Sequence, residues 1–145
     1  AVPQLVLIGG PGWGEPWGDA RPDPAHVVMG GYVPDDRLRW IVAGAAALCM
    51  PSRYEGFGLP VLEGMATGRP VLASDIPAHR EVGGNALRYL AHDVDAWADA
   101  IEQAARGEDD SRASRERRDR AAAFTWERSA REHVAAYRDA AASAS

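Results

Sequence analysis

The stretch Pro51-Ser52-Arg53-Tyr54-Glu55-Gly56-Phe57-Gly58-Leu59-Pro60-Val61-Leu62-Glu63 contains two glutamates with seven residues between them. Its glycines allow the backbone to approach a ligand closely, and Pro60 predicts a helix start, since proline is tolerated in the first turn. A helix N-terminus offers free amides and the positive end of a dipole, which suit a phosphate. Carboxylates accept hydrogen bonds from paired hydroxyls. With Glu55 before the turn and Glu63 about one turn inside the helix, the stretch fits a ligand that carries a sugar and a phosphate.

The rest of the chain alternates short apolar runs with helical patterns. Strands are predicted over 5–8, 27–29, 46–50, 71–73 and 86–90, and helices from 34, over about 60–67, and over 77–82, 93–106, 112–123 and 126–141. This alternation is typical of an α/β domain with a parallel sheet, which binds ligands at the carboxyl ends of its strands. Residues 11–24 are predicted to be a loop rich in proline and glycine, or such a loop with one short helical turn. Residues 140–145 are predicted to be a flexible tail.

The composition of the 145 residues is that of one globular domain, with 46% hydrophobic and 26% charged residues. A formal net charge of −5 argues against a surface for nucleic acid or anionic membrane. The chain has no lysine and a single cysteine, Cys49, which cannot form an internal disulfide and suits a reducing compartment. The predicted location is therefore the cytoplasm, with a peripheral position at the inner face of a membrane as a further option. The four histidines lack the spacing of metal ligands, so no metal site is predicted.

Four further stretches accompany the two glutamates in a fixed order: Leu5-Val6-Leu7-Ile8-Gly9-Gly10, Val28-Met29-Gly30-Gly31-Tyr32-Val33-Pro34-Asp35-Asp36, Gly68-Arg69-Pro70-Val71-Leu72-Ala73-Ser74-Asp75-Ile76-Pro77 and Phe124-Thr125-Trp126-Glu127-Arg128. In sequence and spacing the set resembles the C-terminal, donor-binding domain of retaining GT-B-fold glycosyltransferases of the glycosyl transferases group 1 type. The resemblance implies a Rossmann-like parallel sheet with flanking helices and a nucleotide-sugar-binding domain over residues 1–139. It also implies metal-independent transfer of a sugar from a nucleoside diphosphate sugar to a hydroxyl acceptor, with no cofactor besides that donor.

The resemblance assigns roles to individual residues. Glu55 is the expected catalytic group, a carboxylate that contacts the donor-sugar hydroxyls near the reacting carbon, and Glu63 is expected to hold the ribose hydroxyls. The other expected substrate-binding residues are Gly56, Phe57, Gly58, Leu59 and Val61 around the sugar and phosphate, Tyr32 and Val33 beside the base, and Gly9 and Gly10 in a turn beside the cleft.

Several of these residues have an alternative structural role. Phe57 is as well explained by packing as by ligand contact, and Leu59 and Val61 are typical of core or pocket wall, with the Val61 amide available to a phosphate. Phe124 and Trp126 are predicted to anchor the last helix in the core.

The start of the chain departs from the family pattern. The family's donor-binding domain usually opens with a further strand and helix that carry an arginine and a lysine for the donor diphosphate, whereas this chain has no lysine. The place of that strand is between residues 5–8 and 46–50. We therefore expect a fragment of a longer enzyme that is nearly inactive alone. Another polypeptide, a second copy or the enzyme's own N-terminal part would supply the strand, and the absent N-terminal domain would bind the acceptor. Direct pairing of 5–8 with 46–50 would contradict this expectation.

Two other functions fit parts of the pattern. One is a non-catalytic or regulatory module that still binds a nucleotide sugar, which the missing basic pair would favour and the intact Glu55/Glu63 pair disfavours. The other is a nucleotide-sugar epimerase of the same fold, for which the sequence offers no specific support. The donor sugar, base and acceptor stay open.

Overall fold

The computed structural model describes residues 2–10, 22–107 and 110–143. Strands and helices follow one another in the predicted order along these residues. They are β1 Leu5–Ile8, β2 Val27–Gly31, α1 Asp35–Gly44, β3 Leu48–Met50, α2 Leu59–Thr67, β4 Val71–Ser74, α3 Pro77–Gly83, β5 Arg88–Leu90, α4 Val94–Ala105, α5 Ser111–Ala122 and α6 Trp126–Ser143. Most of the predicted loop at 11–24 lies outside the described residues.

All strand pairing in the described ranges is parallel. Strand β1 pairs with β2, and β3, β4 and β5 form a second sheet in that order. The fold is therefore the Rossmann-like α/β arrangement that the alternation of apolar and helical segments predicts. Within these ranges β1 does not pair with β3, so the pairing that would contradict the expectation of a supplied strand does not occur.

Proline and glycine mark the helix ends as the sequence predicts. Helix α2 has proline in its first turn and ends at Gly68, whose φ of 78° is left-handed, a conformation that glycine adopts without steric cost. Two later helices begin with an aspartate whose side chain accepts a backbone N–H. Asp93 caps α4 through the amide of Ala96 at 2.8 Å, and Asp110 caps α5 through the amide of Ala113 at 2.6 Å.

Strand β4 is the centre of the core, because its side chains alternate between two covered faces. Val71 and Ala73 point toward α2 and α5, in a cluster with Val61, Met65, Val82 and Ala121. Leu72 points to the other face, where it packs with Leu90 and Ala100. A strand that is buried on both faces explains the uninterrupted apolar run that predicts it.

Side chains of α5 donate hydrogen bonds to backbone carbonyls at the ends of α2 and α3. The buried guanidinium of Arg117 donates to the Gly68 carbonyl from Nε at 3.1 Å and from Nη2 at 3.0 Å, and Ser114 Oγ donates to the same oxygen at 2.9 Å. Arg120 donates to the carbonyl of Val82 at 2.8 Å and to that of Glu81. These bonds satisfy carbonyls at the ends of two helices.

Helix α6 differs from the prediction in two respects. Trp126 is 81% exposed and does not anchor the helix in the core; the described part of α6 has no buried residue. The sequence pattern favours an anchor only because aromatic residues are usually buried. The helix also continues to Ser143, whereas a tail is predicted from residue 140. None of the helices in the described ranges combines the length and apolarity needed to cross a bilayer.

Candidate functional site

The turn between β3 and α2 places the two glutamates. It leaves the carboxyl end of β3 and closes at Gly58, which immediately precedes α2 and has a left-handed φ of 93°. The left-handed backbone favours glycine, and a Cβ at this position would also be in tight contact with the buried His79 ring, 3.3 Å from Cδ2. The predicted glycine turn at the start of a helix is confirmed.

The first amides of α2 are partly used within the helix. The N–H groups of Val61 and Leu62 donate to the Gly58 carbonyl at 3.0 and 3.3 Å. The Val61 side chain is completely buried in the core, and contact of its amide with a phosphate would require that bond to be broken or shared. The structure therefore favours the packing role for Val61. Leu59, half exposed at 51%, lies at the surface beside the turn.

Glu55 is half-buried and is held by a neighbouring hydroxyl. Ser52 Oγ donates a hydrogen bond to Glu55 Oε1 at 2.7 Å. A carboxylate has about four acceptor positions, so this bond leaves most of the acceptor capacity of Glu55 for a ligand. The contribution of Ser52 was not part of the predicted site, since Pro51-Ser52 precedes the glycine turn without any pattern that predicts a contact with Glu55.

Glu63 lies on the exposed side of α2, where an acidic residue from another helix affects it. Partial burial of the carboxyl raises the pKa of Glu63, and the negative charge of Asp35 raises it further. Asp35 is the first residue of α1. The sequence identifies Asp35 only as part of an acidic helix start, so its electrostatic influence on Glu63 is a feature that the pattern alone misses.

The ring of Phe57 packs within the protein. It makes an edge-to-face contact with Phe124, with ring centroids 5.9 Å apart and an interplanar angle of 74°. The guanidinium of Arg120 lies 4.9 Å from the centroid of the Phe124 ring. This contact favours the packing alternative for Phe57, although its side chain is still 40% exposed. Phe124 is half-buried and holds the segment before α6 through this contact. The ring contact does not involve the backbone of the turn, for which the predicted ligand contacts stay a prediction.

The remaining predicted residues follow the ends of β1 and β2. The Gly9 amide donates to the Gly31 carbonyl at 2.8 Å and ties these two ends together, and Gly10 comes next. Tyr32 is 80% exposed directly after β2, and Val33 is half-buried. The segment after β2 lies near α2, because the charge of Asp35, two residues after Val33, raises the pKa of Glu63.

His79 lies behind the glycine turn and is completely buried. Its Nδ1 is 2.9 Å from the Ser74 carbonyl, so Nδ1 donates, since a carbonyl oxygen only accepts. Nε2 has no hydrogen-bond partner in the described structure. Within the same ranges, no three histidine, cysteine, aspartate or glutamate side chains are grouped as a metal site would require.

Comparison with known proteins places this geometry in a family. Residues 2–106 match the model of the family described as Glycosyl transferases group 1. The chain belongs to this family. The matched part of this group 1 chain contains both glutamates, the glycine turn and all five strands of the described structure.

Individual relatives of this group 1 chain carry glycosyltransferase names. O-antigen chain mannosyltransferase B of Escherichia coli is 40% identical over 112 residues, which are 74% of this chain and 29% of the relative. A D-inositol 3-phosphate glycosyltransferase of Corynebacterium urealyticum is 37% identical over 109 residues, 72% of this chain and 26% of the relative. Another of that name, from Jonesia denitrificans, is 35% identical over 156 aligned positions, 94% of this chain and 35% of the relative. The chain thus spans about a third or less of each relative.

Proposed function

We propose that this chain is the donor-binding part of a retaining glycosyltransferase that moves a sugar from a nucleoside diphosphate sugar to a hydroxyl acceptor. The observation that carries the proposal is the position of Glu55 and Glu63 on either side of the glycine turn at the start of α2. Membership of the Glycosyl transferases group 1 family supports the reaction class.

The donor would lie across the turn with its sugar toward Glu55 and its nucleoside toward Glu63. Among the residues that the structure describes, Ser52 uses one acceptor position of Glu55, which leaves others for sugar hydroxyls. Glu63 is exposed and can accept hydrogen bonds from both ribose hydroxyls. The diphosphate between them would meet the backbone of Gly56 to Leu59 and the positive end of the α2 dipole. Tyr32, Val33, Gly9 and Gly10 remain the proposed neighbours of the base and of the cleft.

Asp35 would add a second carboxylate on the nucleoside side. Hydrogen bonds donated to a carboxylate favour its ionised form, so hydroxyl groups bound at Glu63 would offset the effect of burial and of the neighbouring negative charge on its pKa. The raised pKa of Glu63, caused by partial burial and by the charge of Asp35, supports a hydroxyl-binding role for this part of the site.

Catalysis in this proposal rests on positioning and electrostatics. Glu55 would orient the sugar and stabilise the positive charge that develops at the reacting carbon, and the helix N-terminus would stabilise the departing diphosphate. Both groups act without a metal ion, which we propose as a property of the reaction.

We also propose that a further strand completes the sheet between β1 and β3. Strand β1 pairs with β2 alone and β3 with β4 alone in the described residues, so each has an edge with unpaired backbone groups. The β1–β2 pair exposes apolar side chains, with Val6 at 43% and Met29 at 61% exposure, which a complete domain would cover. The strand would come from a second polypeptide or from the N-terminal part of the whole enzyme, which would also bind the acceptor.

Calorimetric titration tests the donor site directly. The chain would be titrated with UDP, GDP and ADP and with their sugar conjugates, mannose conjugates included because one relative is named a mannosyltransferase. Glu63→Ala should weaken binding of the preferred nucleotide about tenfold or more, because it removes hydrogen bonds to an ionised acceptor. Glu127→Ala, which removes an exposed glutamate at the start of α6, is the matched control and should leave binding unchanged.

The outcomes separate the proposals. If no nucleotide binds, a peptide or protein that supplies the missing strand is added, and continued absence of binding would contradict the donor-site proposal. Binding without sugar transfer by the whole protein, acceptor domain included, would favour the non-catalytic module instead.

A further inference from the structure

The carboxyl ends of three neighbouring strands are joined by a polar network that includes Glu55. Ser52 follows β3, Ser74 is the last residue of β4, and His92 comes two residues after β5. Nε2 of His92 lies 3.2 Å from the Ser52 carbonyl oxygen and 3.3 Å from Ser74 Oγ. The hydroxyl of Ser52 in turn donates to Glu55 Oε1 at 2.7 Å. The network thus runs from β5 through β3 to the candidate catalytic carboxylate.

The carbonyl partner fixes the proton on His92. A carbonyl oxygen only accepts hydrogen bonds, so Nε2 must carry the proton and donate to Ser52. Ser74 Oγ, which is completely buried, then serves as a second acceptor for the same N–H. One imidazole therefore bridges the backbone after β3 and the last side chain of β4.

Ser52 is well placed to select one orientation of the Glu55 carboxylate. Within the described part of the chain it is the hydrogen-bond donor that this carboxylate meets. A bond from a neutral hydroxyl to an ionised acceptor is short and strong, and the observed 2.7 Å fits that class. Without it, Glu55 would distribute itself among several side-chain rotamers on an exposed turn.

We propose that Ser52 and His92 are positioning residues for Glu55. Ser52 orients the carboxylate toward the donor sugar, and His92 holds the backbone segment from which Ser52 projects. The inference rests on the proposed donor site and extends it to residues that neither the glutamate motif nor the glycine turn includes. Positional precision of this kind is what a group that must align with a reacting carbon requires.

The proposal predicts a loss that depends on the sugar. Glu55 is proposed to contact the sugar and Glu63 the nucleoside, so a loosened Glu55 should affect only ligands that carry the sugar. Ser52→Ala should weaken binding of the preferred nucleoside diphosphate sugar about five- to tenfold. This is only part of the effect of losing one hydrogen bond to a charged group, because the bond orients Glu55 and does not contact the ligand itself. Binding of the corresponding nucleoside diphosphate should not change. Ser52→Thr retains the hydroxyl and should restore most of the sugar-dependent affinity.

His92 is tested by a pair of variants with the same readout. His92→Gln keeps an N–H that can reach the Ser52 carbonyl, whereas His92→Ala removes it. We expect His92→Ala to lower affinity for the nucleotide sugar a few-fold, less than Ser52→Ala because it acts through the backbone, and His92→Gln to recover part of that loss. The ¹⁵N NMR spectrum of the free chain should place the proton of His92 on Nε2.

The results distinguish this inference from the function on which it rests. Equal loss for nucleotide and nucleotide sugar in Ser52→Ala, unchanged affinity for both, or identical behaviour of His92→Gln and His92→Ala would each overturn the positioning role while leaving the donor site intact. A protonated Nδ1 with an unprotonated Nε2 would also overturn it. Failure of the unmodified chain, with its missing strand supplied, to bind any nucleotide would overturn the proposed function and the positioning role together.

Discussion

Replacing Gly68 by alanine should destabilise the fold by about 1.5–3.5 kcal/mol. The left-handed backbone at Gly68, with φ of 78°, costs an L-residue about 1–2 kcal/mol. The new Cβ would also meet Ser114 Oγ at 2.6 Å and would contact Arg118 Nη1. Arg118 is long and exposed and can move aside, but Ser114 Oγ can yield only by giving up its bond to the Gly68 carbonyl, which is worth about 0.5–1.5 kcal/mol.

Gly107→Ala is the matched control for this substitution. Gly107 has nearly the same backbone conformation, with φ of 76°, and no atom of the residues that the structure describes lies within 4 Å of the position of a new Cβ. It should therefore show the backbone cost alone, about 1–2 kcal/mol. Urea denaturation followed by circular dichroism measures the free energy of unfolding of both variants. In thermal melts Gly68→Ala should lower Tm by about 3–14 °C.

A double-mutant cycle tests whether Ser114 causes the additional loss of stability expected for Gly68→Ala relative to Gly107→Ala. Ser114→Ala removes the crowding hydroxyl, so Gly68→Ala should cost less in the Ser114→Ala background than in the natural chain. Equal costs for Gly68→Ala and Gly107→Ala, or strict additivity of the Gly68 and Ser114 changes, would refute the explanation by crowding.

Three further predictions concern titration and packing. The pKa of Glu63 is raised above its ordinary 4.5 in the folded chain, so ionisation of Glu63 lowers the stability of the folded state. Glu63→Gln should therefore increase the free energy of unfolding at neutral pH. This gain should vanish below pH 4.5, where Glu63 is protonated in both the folded and the unfolded chain. Burial raises the pKa of Cys49 to about 11, so at about pH 8 iodoacetamide should alkylate it about a hundredfold more slowly than in the denatured chain. Met65→Ala should cost about 2–5 kcal/mol, because Met65 is completely buried, whereas Met29→Ala, at 61% exposure, should cost less than about 0.5 kcal/mol.

For each of these three predictions, one result would contradict the physical reason behind it. A pH-independent difference between Glu63→Gln and the natural chain would contradict the raised pKa of Glu63, and Asp35→Asn should reduce the difference because it removes part of the cause. Alkylation of Cys49 at the same rate in folded and denatured chains would contradict its burial. Similar losses for the two methionine variants would mean that Met65 does not belong to the core.

The order of strands and helices could be predicted from the sequence because local signals mark most boundaries. Pro77 begins α3, Gly68 ends α2, and the apolar run at 71–74 is a strand that is buried on both faces. Such signals act within a few residues of the boundary that they determine. The glycine turn with its flanking glutamates was predictable for the same reason.

The finer structure of the candidate site depends on contacts between distant parts of the chain. The bond from His92 to Ser52 joins residues 40 positions apart, and the charge of Asp35 acts on Glu63 from another helix. Nothing in the local pattern around these residues specifies such partners. The exposure of Trp126 was wrongly predicted because burial depends on which surface faces the residue, and residue type gives only an average tendency.

The bonds from α5 to the ends of α2 and α3 constrain how this protein can fold. Arg117 reaches a carbonyl 49 residues earlier, and Arg120 reaches one 38 residues earlier. During synthesis α2 and α3 emerge long before Arg117 and Arg120, whose hydrogen bonds satisfy the carbonyls at the ends of these helices. Neither helix is therefore fully stabilised until α5 has been made and has packed against them. Contacts of such sequence separation also slow folding. A fragment that stops at residue 106, where the family match ends, would lack Ala121 from the core and should populate only a loosely packed state.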